Sequence, residues 1–209
     1  SDLQAFDDLT AKAQEMGATT KFTATESAEA FNYMAMAGWK PQQMIDGISG
    51  IMSLAAASGE DLGTTSDIVT DALTAFGLSA GDSGHFADVL AQASANANTN
   101  VSMLGESFKY VAPVAGAMNY SVEDTSLALG LMANASIKGS MAGTALKTSL
   151  ANMAAPTDSM AEAMDKYGIS LTDSEGNMKS LRGVIDNLRG SLGGLSETEQ
   201  TAAASTIFG

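Results

Sequence analysis

The sequence predicts an all-α fold: a multi-helix bundle of short antiparallel helices with close Gly/Ala contacts. Three observations support this prediction. Ala, Ser, Gly, Met and Leu are abundant and aromatic residues are few, a balance that favours helices over strands. Apolar residues recur at helical spacing along most of the chain. Capping residues, glycines and prolines stand between these stretches, where helices should begin and end.

Each predicted helix is delimited by such signals. A capping residue or an acidic first turn opens most of them, and a glycine usually closes them. In chain order the predicted helices are 2–16, ended by Gly17; 24–38, opened by a Thr23–Glu26 capping box; 42–57, with Pro41 in its first turn; 61–76, capped by Gly77; 84–97, opened by Asp82-Ser83 after a loop over 77–84; a helix that starts at Ser102 and is interrupted by Pro113; 121–138, opened by Ser121; 140–153; 157–167, ended by Gly168; 181–192; and 196–207, opened by a Ser196–Glu199 capping box.

The segment Ile137–Leu146 is the centre of this prediction. Gly139 is expected to take the left-handed conformation that ends one helix, and Ser140 to cap the next. Gly143 follows Gly139 by four residues, so that another helix can approach this surface closely. Pro113, in contrast, predicts a kink or a break within its helix.

The chain divides into three predicted parts. Residues 1–22 form an N-terminal helix or linker, 23–156 a core helical domain, and 157–209 a C-terminal helix–hairpin–helix segment. The hairpin, a minor β element near 169–179, is predicted from alternating apolar and polar residues around a turn cluster.

Two stretches of the core resemble each other. Phe31-Asn-Tyr33 is similar to Phe108-Lys-Tyr110, and later matches follow at an offset that drifts from 77 to 80 residues. One interpretation is an internal duplication, about 25–70 and 105–150. The alternative is the shared composition of alanine-rich helices.

Charge and composition exclude several functions. Acidic residues outnumber basic residues 24 to 10, for a net charge of −14, so the surface repels phosphate and no stable nucleic-acid binding is expected. The chain has no cysteine, which excludes disulfides and thiolate metal sites. The first residues do not resemble a signal peptide, and the missing initiator Met suggests a fragment of a longer protein.

Few residues suggest a catalytic or metal-binding role. His85 is the one histidine, too little for a transition-metal site. The segment 173–177 begins like a calcium loop, but Val184 stands where a glutamate ligand is required, so a turn is the better interpretation. Glu106 could be the acid of a lytic transglycosylase, although the remaining motif is absent. We therefore predict no catalytic residue, no metal and no cofactor.

Methionines and small residues have two interpretations. Met34, Met52, Met132 and Met153 lie within apolar stripes, which indicates core filling more than an adaptable binding face. The pairs Gly139/Gly143 and Ala112/Gly116 indicate internal helix contacts, and partner binding is the alternative.

Several motifs, in order, resemble the core region of the phage tail tape-measure protein family. The C-terminal part of the chain resembles the segment that follows this core in the family. The motifs are Ala35-Met-Ala-Gly38-Trp39, Leu54-Ala-Ala-Ala-Ser-Gly-Glu-Asp61-Leu62, Thr74-Ala-Phe76-Gly77-Leu78, Tyr110-Val-Ala-Pro113-Val-Ala and Ile137-Lys-Gly139-Ser-Met-Ala-Gly143-Thr-Ala-Leu146, followed by Gly168-Ile-Ser-Leu, Gly176-Asn-Met and Ile207-Phe208-Gly209.

The resemblance implies a structural, non-enzymatic segment of a long helical protein in the lumen of a phage, prophage or tail-like particle. That protein sets tail length during assembly and is ejected ahead of the DNA. The implied partners are the tail tube (major tail) protein, tail tip and distal tail proteins, and tail assembly chaperones. Self-association as a homo-oligomer, synthesis in the bacterial cytoplasm and transient host membrane contact are also expected. The alternatives are a peptidoglycan-degrading module that uses Glu106 and a membrane-active, pore-forming module.

Overall fold

The computed structural model describes residues 2–209. These residues form eleven α-helices and one short 3-10 helix, so the prediction of an all-α fold is confirmed. The helices are α1 (Asp2–Thr19), α2 (Ala24–Met36), α3 (Pro41–Ser58), α4 (Leu62–Ala75), α5 (Ser83–Asn96), α6 (Val101–Ala117), α7 (Val122–Asn134), α8 (Gly139–Ala154), α9 (Asp158–Tyr167), α10 (Leu181–Leu192) and α11 (Glu197–Phe208), with the 3-10 helix at Ala80–Asp82. None of the helices in this part of the chain has both the length and the apolarity of a membrane span.

Side-chain caps determine many of the helix starts. Thr23 and Glu26 form the predicted capping box of α2, and Ser196 does the same for α11 with Glu199. At α4 the Asp61 carboxylate accepts hydrogen bonds from the amide and hydroxyl of Thr64, which lower the pKa of that carboxyl below its ordinary value. A cap of this kind contributes about 1 kcal/mol, because it satisfies an amide that the helix leaves unpaired.

The first eight helices form two rows. Row A contains α2, α4, α6 and α8, and row B contains α1, α3, α5 and α7. Within each row, every helix packs against the next member of the same row, and consecutive helices pack across the rows. A bundle closes around one axis, whereas this pattern builds a layered array that advances with the chain, as in helical repeat proteins.

Row A has a regular spacing. Its four N-cap residues are Thr23, Asp61, Asn100 and Lys138, so successive caps are 38, 39 and 38 residues apart. The eighth residue after the cap is apolar and buried in each helix, from Phe31 in α2 to Leu146 in α8. The same step in the chain therefore brings the same helix face into the core.

One continuous hydrophobic core joins the rows. Phe108 of α6 lies near its centre, in an edge-on contact with Phe86 at 5.3 Å between ring centroids and a tilted contact with Phe76 at 5.8 Å. Met34, Met52 and Met153 are buried in this core, which confirms their predicted use, whereas Met132 is half-buried.

The last three helices close one end of the array. α10 packs on α7, and α11 packs on both α8 and α9. Ile169, Leu171 and Ile207 join the continuous core from this part of the chain. The amphipathic stripe predicted for 181–192 forms α10, with Leu181 and Val184 fully buried.

The predicted β-hairpin near 169–179 is not formed as strands. A single antiparallel bridge joins Thr172 and Met178, and between them the Asp173 carboxylate accepts hydrogen bonds from the amides of Glu175 and Asn177. Too few residues are available on each side of the turn to form a ladder of paired strands. Leu171, next to the bridge, packs into the helical core.

The predicted boundary at Gly139 is displaced. α7 ends at Asn134, and Ser136 (φ 68°) takes the left-handed position that was expected of Gly139. The next residue, Ile137, packs on the core and its amide donates to the Met132 carbonyl at 2.9 Å. This hydrophobic contact places the left-handed residue three positions earlier than predicted. Gly139 also has positive φ (59°), but it is the first residue of α8.

Two other predicted boundaries are wrong, and the break considered at Pro113 is not formed. α1 continues past Gly17, because this glycine allows the close approach of Ala24 rather than ending the helix. The expected loop over 77–84 instead contains the 3-10 helix, capped at Ser79 and continuous with α5. α6 is not broken at Pro113, which lies on its exposed side, where water can bond to the carbonyl that loses an amide partner.

Candidate interaction surfaces

Neighbouring row A helices touch almost backbone to backbone. A Cβ added at Gly116 of α6 would overlap the carbonyl oxygen of Ala75 in α4, and one added at Gly105 would lie 2.6 Å from Ile68 Cδ1. Gly105 precedes Gly116 as Ile68 precedes Ala75, so α4 and α6 run in the same direction. The glycines in this interface therefore serve close approach, as predicted for the Ala112/Gly116 pair.

The contact between α6 and α8 is equally close. A Cβ at Gly143 would lie 3.0 Å from both the Cα and the carbonyl carbon of Ser107, and nearer still to its oxygen. The Ser107 hydroxyl has two carbonyl acceptors within reach of its one proton, Gly139 at 2.6 Å and Met103 at 3.0 Å, and the shorter contact joins α6 to α8. The pair Gly139/Gly143 thus makes an internal helix contact, the first of its two predicted uses.

Row B also contains a close contact at a glycine, between α3 and the start of α5. A Cβ at Gly50 of α3 would overlap the backbone of Ser83, and one at Gly47 would overlap the ring of Trp39. The Ser83 hydroxyl donates to the Gly47 carbonyl at 2.8 Å. The glycines of α3 therefore allow close packing against its neighbours.

The predicted metal candidates lie apart. His85 Nε2 contacts Glu123 Oε1, and both side chains are about half exposed. Burial opposes the charge on Glu123, but hydrogen bonds from its own amide and from His85 outweigh this effect and lower the pKa of the carboxyl. Asp173 is used in its turn, where the Asn177 amide is the main cause of its lowered pKa. Within residues 2–209, three or more histidine or carboxylate groups nowhere come together as a metal site.

Glu106 is a half-buried helix residue without an active-site cleft around it. Its carboxylate lies 3.8 Å from Lys109 Nζ, one turn further along α6. The cleft beside it, about 360 Å³ between α4 and α6, is lined by Lys109 and Asp71 but not by Glu106. The geometry does not favour the glycosidase alternative.

Asp71 is a feature that sequence reasoning missed. Partial burial raises the pKa of this carboxyl, with a further contribution from Asp67. The rest of the cleft is lined by Thr70, Thr74 and apolar groups, so Asp71 and Lys109 are its charged residues. Asp71 and Lys109 lie on different helices and 38 residues apart, so no local motif could have placed them together.

An open groove lies between α1 and α2. Its volume is about 530 Å³, and Phe6, Leu9 and Ala13 of α1 face Ala24, Ala28 and Phe31 of α2 across it. Phe6 is 68% exposed, and Leu3, one turn earlier, is 79% exposed. Large apolar side chains on α1 here border small residues on α2 without a covering helix.

Comparison with known proteins identifies the family. A family model described as phage-related minor tail protein matches residues 10–209. The chain is 41% identical over 198 residues to the tape measure protein of Pneumococcus phage Dp-1, an alignment that covers 95% of this chain and 17% of that protein. It is 27% identical over 203 residues to the probable tape measure protein of Escherichia phage P2, covering 96% of this chain and 25% of that protein. No solved structure matches the chain.

The matched region is a small part of the curated relatives, between 17% and 25% of their length. It nevertheless includes nearly the whole of this chain, and the resemblance seen in the separate motifs is confirmed over their full span. This chain therefore belongs to the phage-related minor tail protein family.

Proposed function

We propose that this chain is a structural, non-enzymatic segment of a tail tape measure protein, which sets tail length during assembly and leaves the tail ahead of the DNA. The observation that carries the proposal is the regular advance of row A, one helix for every 38 or 39 residues, in a member of this family. A ruler must convert residue number into length uniformly, and repeated helix pairs provide uniform increments.

The increment has a physical size. An α-helix rises about 1.5 Å per residue, so one 39-residue unit laid end to end as helix spans about 59 Å. The compact array would have to extend along the tail for this full increment. Extension would open the continuous core that joins the rows, so contacts with the tail must replace this apolar burial.

The test is the length of phage tails. Removal of residues 62–100, one unit from α4 to the start of α6, from the full-length tape measure protein should shorten the tail by about 59 Å. Insertion of a second copy of 62–100 should lengthen the tail by the same amount. Electron microscopy of the particles measures both changes. Tails of unchanged length in both variants would refute a ruler role for this segment.

Charge supports passage through a tube ahead of DNA. The net charge of −14 repels the phosphate backbone of DNA, so the segment would not hold the genome that follows it. Few basic and few large aromatic groups are present to anchor the chain to a wall. This is the physical basis for a location in the lumen of the tail.

The partners follow from this role. The tail tube protein, the tail tip and distal tail proteins and the assembly chaperones are the proposed contacts of the whole protein, which is made in the host cytoplasm. Self-association in the tail and transient host membrane contact belong to the same proposal. We also propose that the segment is organised as 1–22, 23–156 and 157–209, with an internal duplication of about 25–70 and 105–150.

A further inference from the structure

Row B has nearly the same spacing as row A. α3 begins at Pro41, the 3-10 helix that leads into α5 at Ala80, and α7 at Val122, so the steps are 39 and 42 residues. α3, α5 and α7 each follow a row A helix and pack against it. By its position α1 is a row B helix, and a row A helix would precede it.

The groove between α1 and α2 has the geometry of that place. In α4, α6 and α8 the fifth residue after the N-cap is small and buried: Ser66, Gly105 and Gly143. In α6 and α8 this residue faces the preceding row A helix. In α2 the fifth residue is Ala28, and it is exposed on the floor of the groove.

We infer that this groove binds an amphipathic row A helix that lies parallel to α2 and belongs to the same polypeptide, on the N-terminal side of α1. The face that would bind is the one that α4 presents to α6, with Ile68 and Ala75 seven residues apart. A helix of this kind would cover Ala28 and bury the exposed rings and methyl groups of α1. The inference concerns folding and is independent of the proposed role in tail length.

A second copy of the chain is a poorer occupant. Head-to-tail stacking would need a free row A face at the other end, but α11 packs on α8 there and buries Ala203 and Ile207. A symmetric pairing of two α1 helices would bring together two acidic surfaces, since α1 carries Asp2, Asp7, Asp8 and Glu15 against Lys12 alone. Charge and closure therefore favour a helix from the same polypeptide.

The experiment adds the missing helix. Residues 60–78 are duplicated directly before residue 1. The added helix is then joined to α1 by a copy of residues 76–78, the segment that joins α4 to Ser79. We expect the Tm to rise by about 5 °C. The matched control carries Ile68→Lys and Ala75→Lys in the added copy only, and it should melt like the original chain. An equal Tm for the original, extended and control chains would overturn the inference.

A labelling measurement identifies the occupant. The chain has no cysteine, so Ala28→Cys provides a single thiol in the groove and Ala135→Cys an exposed control. In the 209-residue chain both thiols should react quickly with a maleimide. In the longer tape measure polypeptide the reaction at position 28 should be slower by at least about tenfold, and the reaction at position 135 should keep its rate. Equal rates at 28 in the two proteins, or protection in a dimer of the 209-residue chain, would overturn the inference.

Discussion

Replacing Phe108 with Ala should lower the free energy of unfolding by about 3–5 kcal/mol. Phe108 is 1% exposed and contacts Phe86 in α5 and Phe76 at the C-terminal end of α4. Its removal would leave a cavity that these rings cannot fill without moving two helices. Because domains of this size have total stabilities of about 5–15 kcal/mol, the variant should be near its limit of folding.

Urea unfolding followed by circular dichroism measures this loss. Tyr110→Ala is the matched control, since Tyr110 lies two residues away on the same helix and is 41% exposed. It should lose under about 1 kcal/mol. Equal losses at 108 and 110 would mean that α6 does not present this face to the core.

Gly143→Ala should lower the free energy of unfolding by about 2 kcal/mol, although alanine is the better helix former. The added methyl group meets the backbone of Ser107, which cannot rotate away as a side chain could. The interface between α6 and α8 must therefore widen, which also stretches the hydrogen bond from Ser107 to the Gly139 carbonyl.

The same substitution at Gly190 should have the opposite sign. Gly190 lies within α10, is exposed, and has open space where the Cβ would be placed. Gly190→Ala should raise the free energy of unfolding by about 0.5–1 kcal/mol through helix propensity alone. Thermal unfolding of the two variants gives the comparison. Stabilisation by both substitutions would contradict the close contact in row A.

Helix boundaries were predictable where one residue carried the signal. The Thr23–Glu26 and Ser196–Glu199 boxes, Pro41 at a first turn and Gly168 at a helix end all act through local hydrogen bonds or dihedral angles. At Ser136 a tertiary contact decided instead, because packing of the partly buried Ile137 on the core compensates for a left-handed serine. The sequence offered Gly139 three residues later as the more favourable choice.

The two-row arrangement was not predictable from local patterns. The matching stretches at Phe31 and Phe108 stand 77 residues apart, the distance between Thr23 and Asn100, which is two steps of row A. The intermediate helix α4 has Val69 at the corresponding place, so the shorter period was not visible in the sequence. Likewise, the groove beside Ala28 exists only because two helices meet there.

Amide hydrogen exchange, read by mass spectrometry over the 209-residue chain, tests the layered array most directly. In a stack coupled through nearest neighbours, protection depends on the number of packed neighbours. α6 has neighbours on both sides, whereas α1 borders the open groove. We predict that amides of α6 exchange most slowly and those of α1 at least about tenfold faster, with a graded change through α2 and α4. Equal protection of α1 and α6 would contradict the array.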